Sequence, residues 1–376
     1  MRIGIDGNEA NIENRVGVNV YAYELLWGLY RLQDSWKNKH ELIVYLRERP
    51  RTDLPKETEW FKYKILPGNG KWIITKLMPH LFLTNSKPDI FFTPSHYVPP
   101  FAPMKLACSI MDLGYIEFSG QFKKYDYWQL RLWSAWSIFV SKVVLSISQS
   151  TKKDIVRHYP FSQGKVKVTT LAYDKSKFNP EILTKDVRRL KKRYSIVKKD
   201  YILFLSTLKP SKNIEGLITA WAKIEKTFPD VQLVIAGKKG WLYEHIFSVA
   251  KQLKIEDRVV FTGFVDEKDK ADLIREAKVF VLPSFWEGFG LDVLNAFAVG
   301  TPVVVSDRGS LPEVAGEAGL VINPDDTDDI GEKMKRVLDM SKKEYSNLVE
   351  KGFKQAQKFD WDETARRTLS YLEELE

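Results

Sequence analysis

The sequence predicts an α/β protein built from doubly wound parallel sheets, and three observations carry that reading. Short aliphatic runs alternate with helical stretches, the alternation breaks off and restarts once, and 376 residues exceed what one ordinary core holds. The first series has β-branched or aliphatic runs at 3–5, 42–45, 90–92, 106–110, 143–147 and 166–168, with helical stretches at 18–32 and 150–157. The second has runs at 201–205, 231–236, 259–261, 279–282, 303–305 and 320–322. Two such series make two Rossmann-like halves. The basic, strand-poor segment 180–200 is the expected join, and it contains a charge run over 185–193, from Lys185 through Arg193. A solvated helix face is the plainer reading of that run. Only Tyr194 offers a base something to stack on, so a nucleic-acid patch is not expected.

Composition narrows the classes further. Hydrophobic content of 44% and charged content of 28% suit a soluble globular chain, and the net charge of +9 favours an anionic partner such as a nucleotide or lipid surface. A single cysteine, Cys108, excludes an internal disulfide and fits a reducing compartment. The opening MRIGIDGNEA reads as a strand and turn, not a signal peptide. No run reaches the roughly 18 apolar residues that a membrane span needs; the longest candidate, 134–147, is broken by Lys142. The five histidines include no pair at i,i+3 or i,i+4, so no zinc site is expected.

The stretch PSFWEGFGLDVLNAFAVGTPVVVSDRGSLPEVAGEAGLVINPDD, residues 283–326, is the most informative. A strand ends in the glycine-spaced loop Glu287-Gly288-Phe289-Gly290, a helix follows, and Gly300-Thr301-Pro302 turns into a second strand. That order aims backbone N–H groups and a helix N-terminus at an anion, usually phosphate. Glu287 would repel phosphate and is better suited to accept from hydroxyls, which points to a sugar carried on a phosphate. In the following helix Asp292 and Asn295 form the only polar stripe; Asn295 either bonds nearby backbone or meets a ligand hydroxyl. A second loop, 206–213, carries Lys209 and Lys212 beside a helix N-terminus for which Asn213 is a suitable cap. Like charges gathered there imply an absent anion, against the plainer reading of two solvated lysines. Gly17 opens a helix near the N-terminus, on its own a weak signal. Across 118–142, Trp128, Leu132, Trp136 and Phe139 share a helical face with Lys123, Lys124, Arg131 and Lys142 nearby. Such a stripe is expected to face the core; the alternative is peripheral contact with an anionic membrane.

Together these segments resemble the family 4 retaining glycosyltransferases of the GT-B fold, over nearly the whole chain. The 283–326 stretch carries the resemblance most strongly. Support comes from YILFLSTLKPSKN, TGFVDEKDKADLIREAKVFVLPS, the closing FDWDETARRTLSYLEEL and the opening MRIGIDGNEA…GVNVYAYELL. Within the family the chain looks most like bacterial enzymes that add mannose or a similar hexose to cell-surface glycans.

The resemblance implies two Rossmann-like domains facing a central cleft. An acceptor domain at 1–185 would be completed by the C-terminal helix 361–376, and a nucleotide-sugar domain would span 186–360. It implies transfer of a hexose such as mannose from a nucleotide-diphosphate sugar to a glycan or lipid-linked acceptor, in polysaccharide biosynthesis. No cofactor and no metal would be needed, and the setting would be cytoplasmic or the inner face of the plasma membrane. The residues it marks as catalytic are Glu287, Lys212 and Asp112. The donor would lie against Gly17, Lys209, Lys212, Phe264, Val265, Glu287, Gly288, Phe289, Gly290, Leu291 and Asn295. Three positions depart from the pattern. Asn295 stands where the second glutamate of the E-x7-E motif bonds ribose, Met111 replaces the histidine of a His-Asp dipeptide, and Thr207 or Ser211 takes the place of an arginine. These departures favour the alternative of a degenerate member that binds a nucleotide sugar or glycan without efficient turnover.

Overall fold

The computed structural model describes every residue except 119, 121–123, 183, 185 and 241, and the backbone alone at 126. Lys123 and Lys185, named in the sequence reading, therefore lie outside the described residues. The chain divides into two compact units, Met1–Leu171 with Asp360–Glu376, and Ala172–Phe359. The sequence reading placed that boundary at 185/186.

The first unit holds a seven-stranded parallel sheet: β1 (Arg2–Asp6), β2 (Glu41–Leu46), β3 (Phe61–Ile65), β4 (Ile90–Thr93), β5 (Lys105–Ile110), β6 (Val143–Ser146) and β7 (Val166–Val168). Their order is β3-β2-β1-β4-β5-β6-β7, so the winding reverses between β1 and β4. The second unit holds six parallel strands: β8 (Asp200–Leu205), β9 (Val231–Ala236), β10 (Val259–Gly263), β11 (Val279–Leu282), β12 (Val303–Ser306) and β13 (Leu320–Ile322). Their order is β10-β9-β8-β11-β12-β13, with the reversal between β8 and β11. Every residue of β4, β6, β9, β11 and β12 is buried, which is why they read as unbroken apolar runs.

The helix Trp361–Glu373 returns to the first unit and packs on the helix Val18–Arg31, its ring Trp361 lying 6.3 Å from Tyr21. Arg31 pairs with Asp362 at 2.6 Å, and the Thr364 hydroxyl donates to Thr170 O at 2.6 Å.

Two expectations about helices are corrected. The charge run folds into the helix Val187–Arg193, but its face is not simply solvated. Arg189 (3.2 Å) and Arg193 (3.1 Å) both reach the buried Asp269 carboxylate, and the Tyr194 hydroxyl donates to it at 2.9 Å, so the run fastens the start of the second unit to its body. The helix Lys124–Val140 does not bury its aromatic stripe: Trp128, Leu132, Trp136 and Phe139 are exposed. Its core side is instead Ser134, Ser137 and Ile138, all fully buried. Small side chains there let the helix sit close enough for Ser137 Oγ to accept the Val98 N–H at 3.2 Å.

Candidate functional site

Ligands of doubly wound sheets bind beyond the carboxyl ends of the strands, where the winding reverses. In the second unit the loops after β8 and β11 leave that point side by side, and the Phe285 N–H donates to Ser211 O at 2.9 Å. This brings together two residues 75 positions apart: Lys212 Nζ is in hydrogen-bonding contact with Glu287 Oε1, both side chains being largely buried. The Ser284 hydroxyl donates to the same oxygen at 3.1 Å. Lys212 is therefore neutralised from within the chain, correcting the inference that its charge lacks a counter-ion. Lys209, half-buried, heads the turn Pro210–Lys212.

Asn213 occupies the N-cap of the helix Ile214–Ile224 but does not cap it with its side chain. Its backbone is left-handed (φ 53°), and its Nδ2 donates instead to Pro324 O at 2.6 Å, anchoring the loop. The Glu287 backbone is held by Ser310, whose N–H and hydroxyl both donate to Glu287 O, at 3.2 and 3.1 Å. Gly309 permits that approach: with φ +59°, a Cβ there would lie 2.5 Å from Glu287 O. Gly290, at φ 90°, turns the chain into the helix Leu291–Ala298. Gly288 is buried, and the Phe289 side chain packs in the core at 5.8 Å from the Phe359 ring, so at Phe289 only the backbone is free to meet a ligand.

The Asn295 side chain does not bond nearby backbone, the plainer of the two expectations. Its Nδ2 donates to Asp292 Oδ1 at 2.8 Å, and Asp292 is held in turn by Lys270 at 2.7 Å. Burial pulls the Lys270 pKa down, but Asp292 and Glu267 more than offset this and hold it above the ordinary lysine range. With its amide nitrogen committed, Asn295 presents Oδ1, which is buried and without a hydrogen-bond partner among the described residues. A buried acceptor left open in this way fits one hydroxyl donor. Phe264 is exposed and Val265 buried in the turn after β10.

Gly17 and Asp112 belong to the first unit. Gly17 is the N-cap of the helix Val18–Arg31, at φ 53°. Asp112 accepts the Gly114 N–H at 2.8 Å. Sequence reasoning missed His96, in the loop after β4. Its Nε2 accepts from the Met111 N–H at 3.4 Å, and its Nδ1 lies 3.4 Å from the Ser134 hydroxyl. Burial lowers the His96 pKa and nearby Asp112 opposes that shift, so an imidazole stands beside Met111 although it does not come from that position. Also at the β1 end lie Asp6 and Glu9. Burial raises the pKa of both, with Asp6 adding its repulsion to Glu9. Among the described residues no group of three or more His, Cys, Asp or Glu is placed to hold a metal.

Two Rossmann-like units, each a parallel sheet with its own reversal of winding, have the GT-B fold. Solved structures support that fold: sucrose-phosphate synthase from Thermosynechococcus elongatus (TM-score 0.73, 18% identity, 100% of this chain and 98% of that one) and Anabaena HepE in complex with UDP-glucose (TM-score 0.74, 16% identity, 100% of each chain). Residues 186–355 match the family described as Glycosyl transferases group 1. Among curated relatives, O-antigen chain mannosyltransferase B of Escherichia coli is 32% identical over 236 residues, covering 62% of this chain and 61% of that protein. The chain spans about three-fifths of the length of the first curated relatives it matches, 61% and 60%.

Proposed function

We propose that the chain is a retaining glycosyltransferase that moves a hexose from a nucleotide-diphosphate sugar to a glycan or lipid-linked acceptor. The observation that carries this reading is the Lys212–Glu287 pair at the β8/β11 switch point of a group 1 domain. A donor would exchange the partners of both residues. Lys212 turns from the carboxylate to the diphosphate, and Glu287 is released to accept from hexose hydroxyls. Asn295 Oδ1 accepts one ribose hydroxyl, and the base lies against the turn at Phe264 and Val265. As the anomeric bond to the diphosphate oxygen breaks, Lys212, the loop N–H groups of Phe289 to Leu291 and the following helix N-terminus stabilise the departing charge. The acceptor oxygen bonds the anomeric carbon on the same face, and its proton passes to the departing diphosphate.

Because cations and N–H dipoles already supply that stabilisation, the reaction proceeds without a metal; transfer abolished by chelator and restored by magnesium would contradict this. Mannose is the favoured hexose given the O-antigen mannosyltransferase, and UDP-glucose, present in the HepE complex, is the natural competitor. The deciding experiment is a thermal-shift panel of GDP-, UDP-, ADP- and dTDP-sugars followed by transfer assays with the stabilising donor. Lys212→Ala is expected to weaken nucleotide binding by about tenfold in calorimetry, and unchanged affinity would refute its role. The departures at Met111 and Asn295 leave one rival to test, a binding protein without turnover, which the mannosyltransferase relatives do not favour. Donor bound without hydrolysis or transfer would select it.

A further inference from the structure

The helix Lys124–Val140 is turned inside out relative to a helix that builds a core. Tyr125, Trp128, Leu132, Trp136 and Phe139 recur at three- and four-residue steps along one side and are 75, 53, 64, 38 and 61% exposed. The opposite side buries serines. Two other segments extend the apolar face: Phe101, from the loop between β4 and β5, lies 6.1 Å from the Trp136 ring, and Phe161, before β7, lies 5.8 Å from Phe139. One of these rings is tethered to the backbone. The Trp136 indole N–H donates to Pro100 O at 2.9 Å, which satisfies its polar edge and leaves its face to solvent.

Cations rim the patch. The Arg131 guanidinium lies 5.5 Å from the Trp128 ring centre, and Lys165 Nζ lies 5.6 Å from that of Phe161 while donating to Phe139 O at 2.8 Å. Lys124 and Lys142 are exposed beside them. Among the described residues no carboxylate forms an ion pair with any of these four. Contiguous exposed apolar surface of this kind marks an interaction site.

We propose that this face seats the chain on an anionic bilayer surface, its rings among the headgroups and its four cations against lipid phosphate. Tryptophan and phenylalanine interleaved with arginine and lysine match the layered chemistry of that interface, apolar below and negatively charged above. A second copy of the chain fits less well, since face-to-face packing would set these cations against their own kind. The inference stands apart from the donor reading, because it rests on the first unit alone and is tested without any nucleotide sugar.

The test is flotation of the full chain with vesicles of phosphatidylcholine alone and of phosphatidylcholine mixed with phosphatidylglycerol. Binding is expected to be stronger to the mixed vesicles and to weaken at least about tenfold in the triple variant Trp128→Ser, Leu132→Ser, Phe139→Ser. These side chains are exposed, so the variant should keep the parent melting temperature. A second variant, Arg131→Glu with Lys142→Glu, leaves the rings intact and should lose the preference for phosphatidylglycerol. Failure of the parent chain to float with either vesicle overturns the proposal, as does flotation that neither variant changes. A dimer in sedimentation velocity that the triple variant abolishes would assign the face to a second copy and overturn it equally.

Discussion

At the scale of single residues, the site is a set of charges that hold one another in check. Lys212 and Glu287 neutralise each other, so under the proposed function a diphosphate would compete with a carboxylate for the lysine. Glu287→Gln removes that competitor and its repulsion of phosphate. It should therefore bind a bare nucleoside diphosphate several-fold more tightly, by about 1 kcal/mol, while losing the preference for the sugar-bearing form. Calorimetry with both ligands checks this, and equal losses for the two would contradict it. Glu9 provides a pH test. Burial, then Asp6, raise its pKa, so its favourable contribution is complete below the ordinary glutamate range and is lost as pH rises through the folded value. Glu9→Gln keeps an acceptor for Asn19 Nδ2, which now lies 2.5 Å from Glu9 Oε2, but cannot ionise. It should raise the melting temperature at pH 7 by about 1–3 °C, with the gain vanishing near pH 4. A gain that persists at pH 4 would point to packing instead. His96, whose pKa burial lowers, works in the opposite sense: stability is full above the ordinary histidine range and falls as pH drops toward the folded value.

At the scale of elements, the loops matter because their glycines let backbones touch. Gly309→Ala would force a Cβ against the Glu287 backbone at φ +59°, and backbone cannot yield as the end of a flexible side chain can. It should destabilise the second unit by about 1–3 kcal/mol and weaken donor binding, read by urea titration and calorimetry. The same scale shows what sequence could and could not disclose. All six runs of the second series became strands: burial on both faces writes a near-continuous apolar signature in β8, β9, β11 and β12, and the edge strands β10 and β13, more exposed, keep theirs in shorter runs. By contrast β3, Phe-Lys-Tyr-Lys-Ile, went unread: as the sheet's outer strand it carries lysines and has only one neighbour. The glycine loop was legible as a motif, yet its ion pair was not, since the pairing of β8 with β11 alone brings Lys212 to Glu287. His96 was hidden likewise, its position set by the adjacency of β4 and β5. In the helix Lys124–Val140 periodicity revealed the stripe but not its direction; that was decided by Ser134 and Ser137, small enough to pack closely.

At the scale of the molecule, two sheets with separate cores allow each unit to be followed on its own. Cys108 is fully buried in the first unit, and burial pushes its thiol up to about 11, so a thiol reagent should label it only when that unit opens. The proposed donor grip lies in the second unit. Saturating nucleotide diphosphate should then raise that unit's resistance to urea, by about 2.7 kcal/mol at a hundredfold excess over Kd. The midpoint for Cys108 labelling should stay where it was. A matched rise in both would show that the two units unfold as one.

The return of Trp361–Glu373 to the first unit has a bearing on biosynthesis. A nascent polypeptide emerging from the ribosome finishes its second Rossmann-like unit while the first still lacks the segment that pairs with Arg31 and Thr170. Until those last turns are translated, the earlier half waits with the bed for Trp361 uncovered. The half made first is thus the last to receive its full set of packing partners.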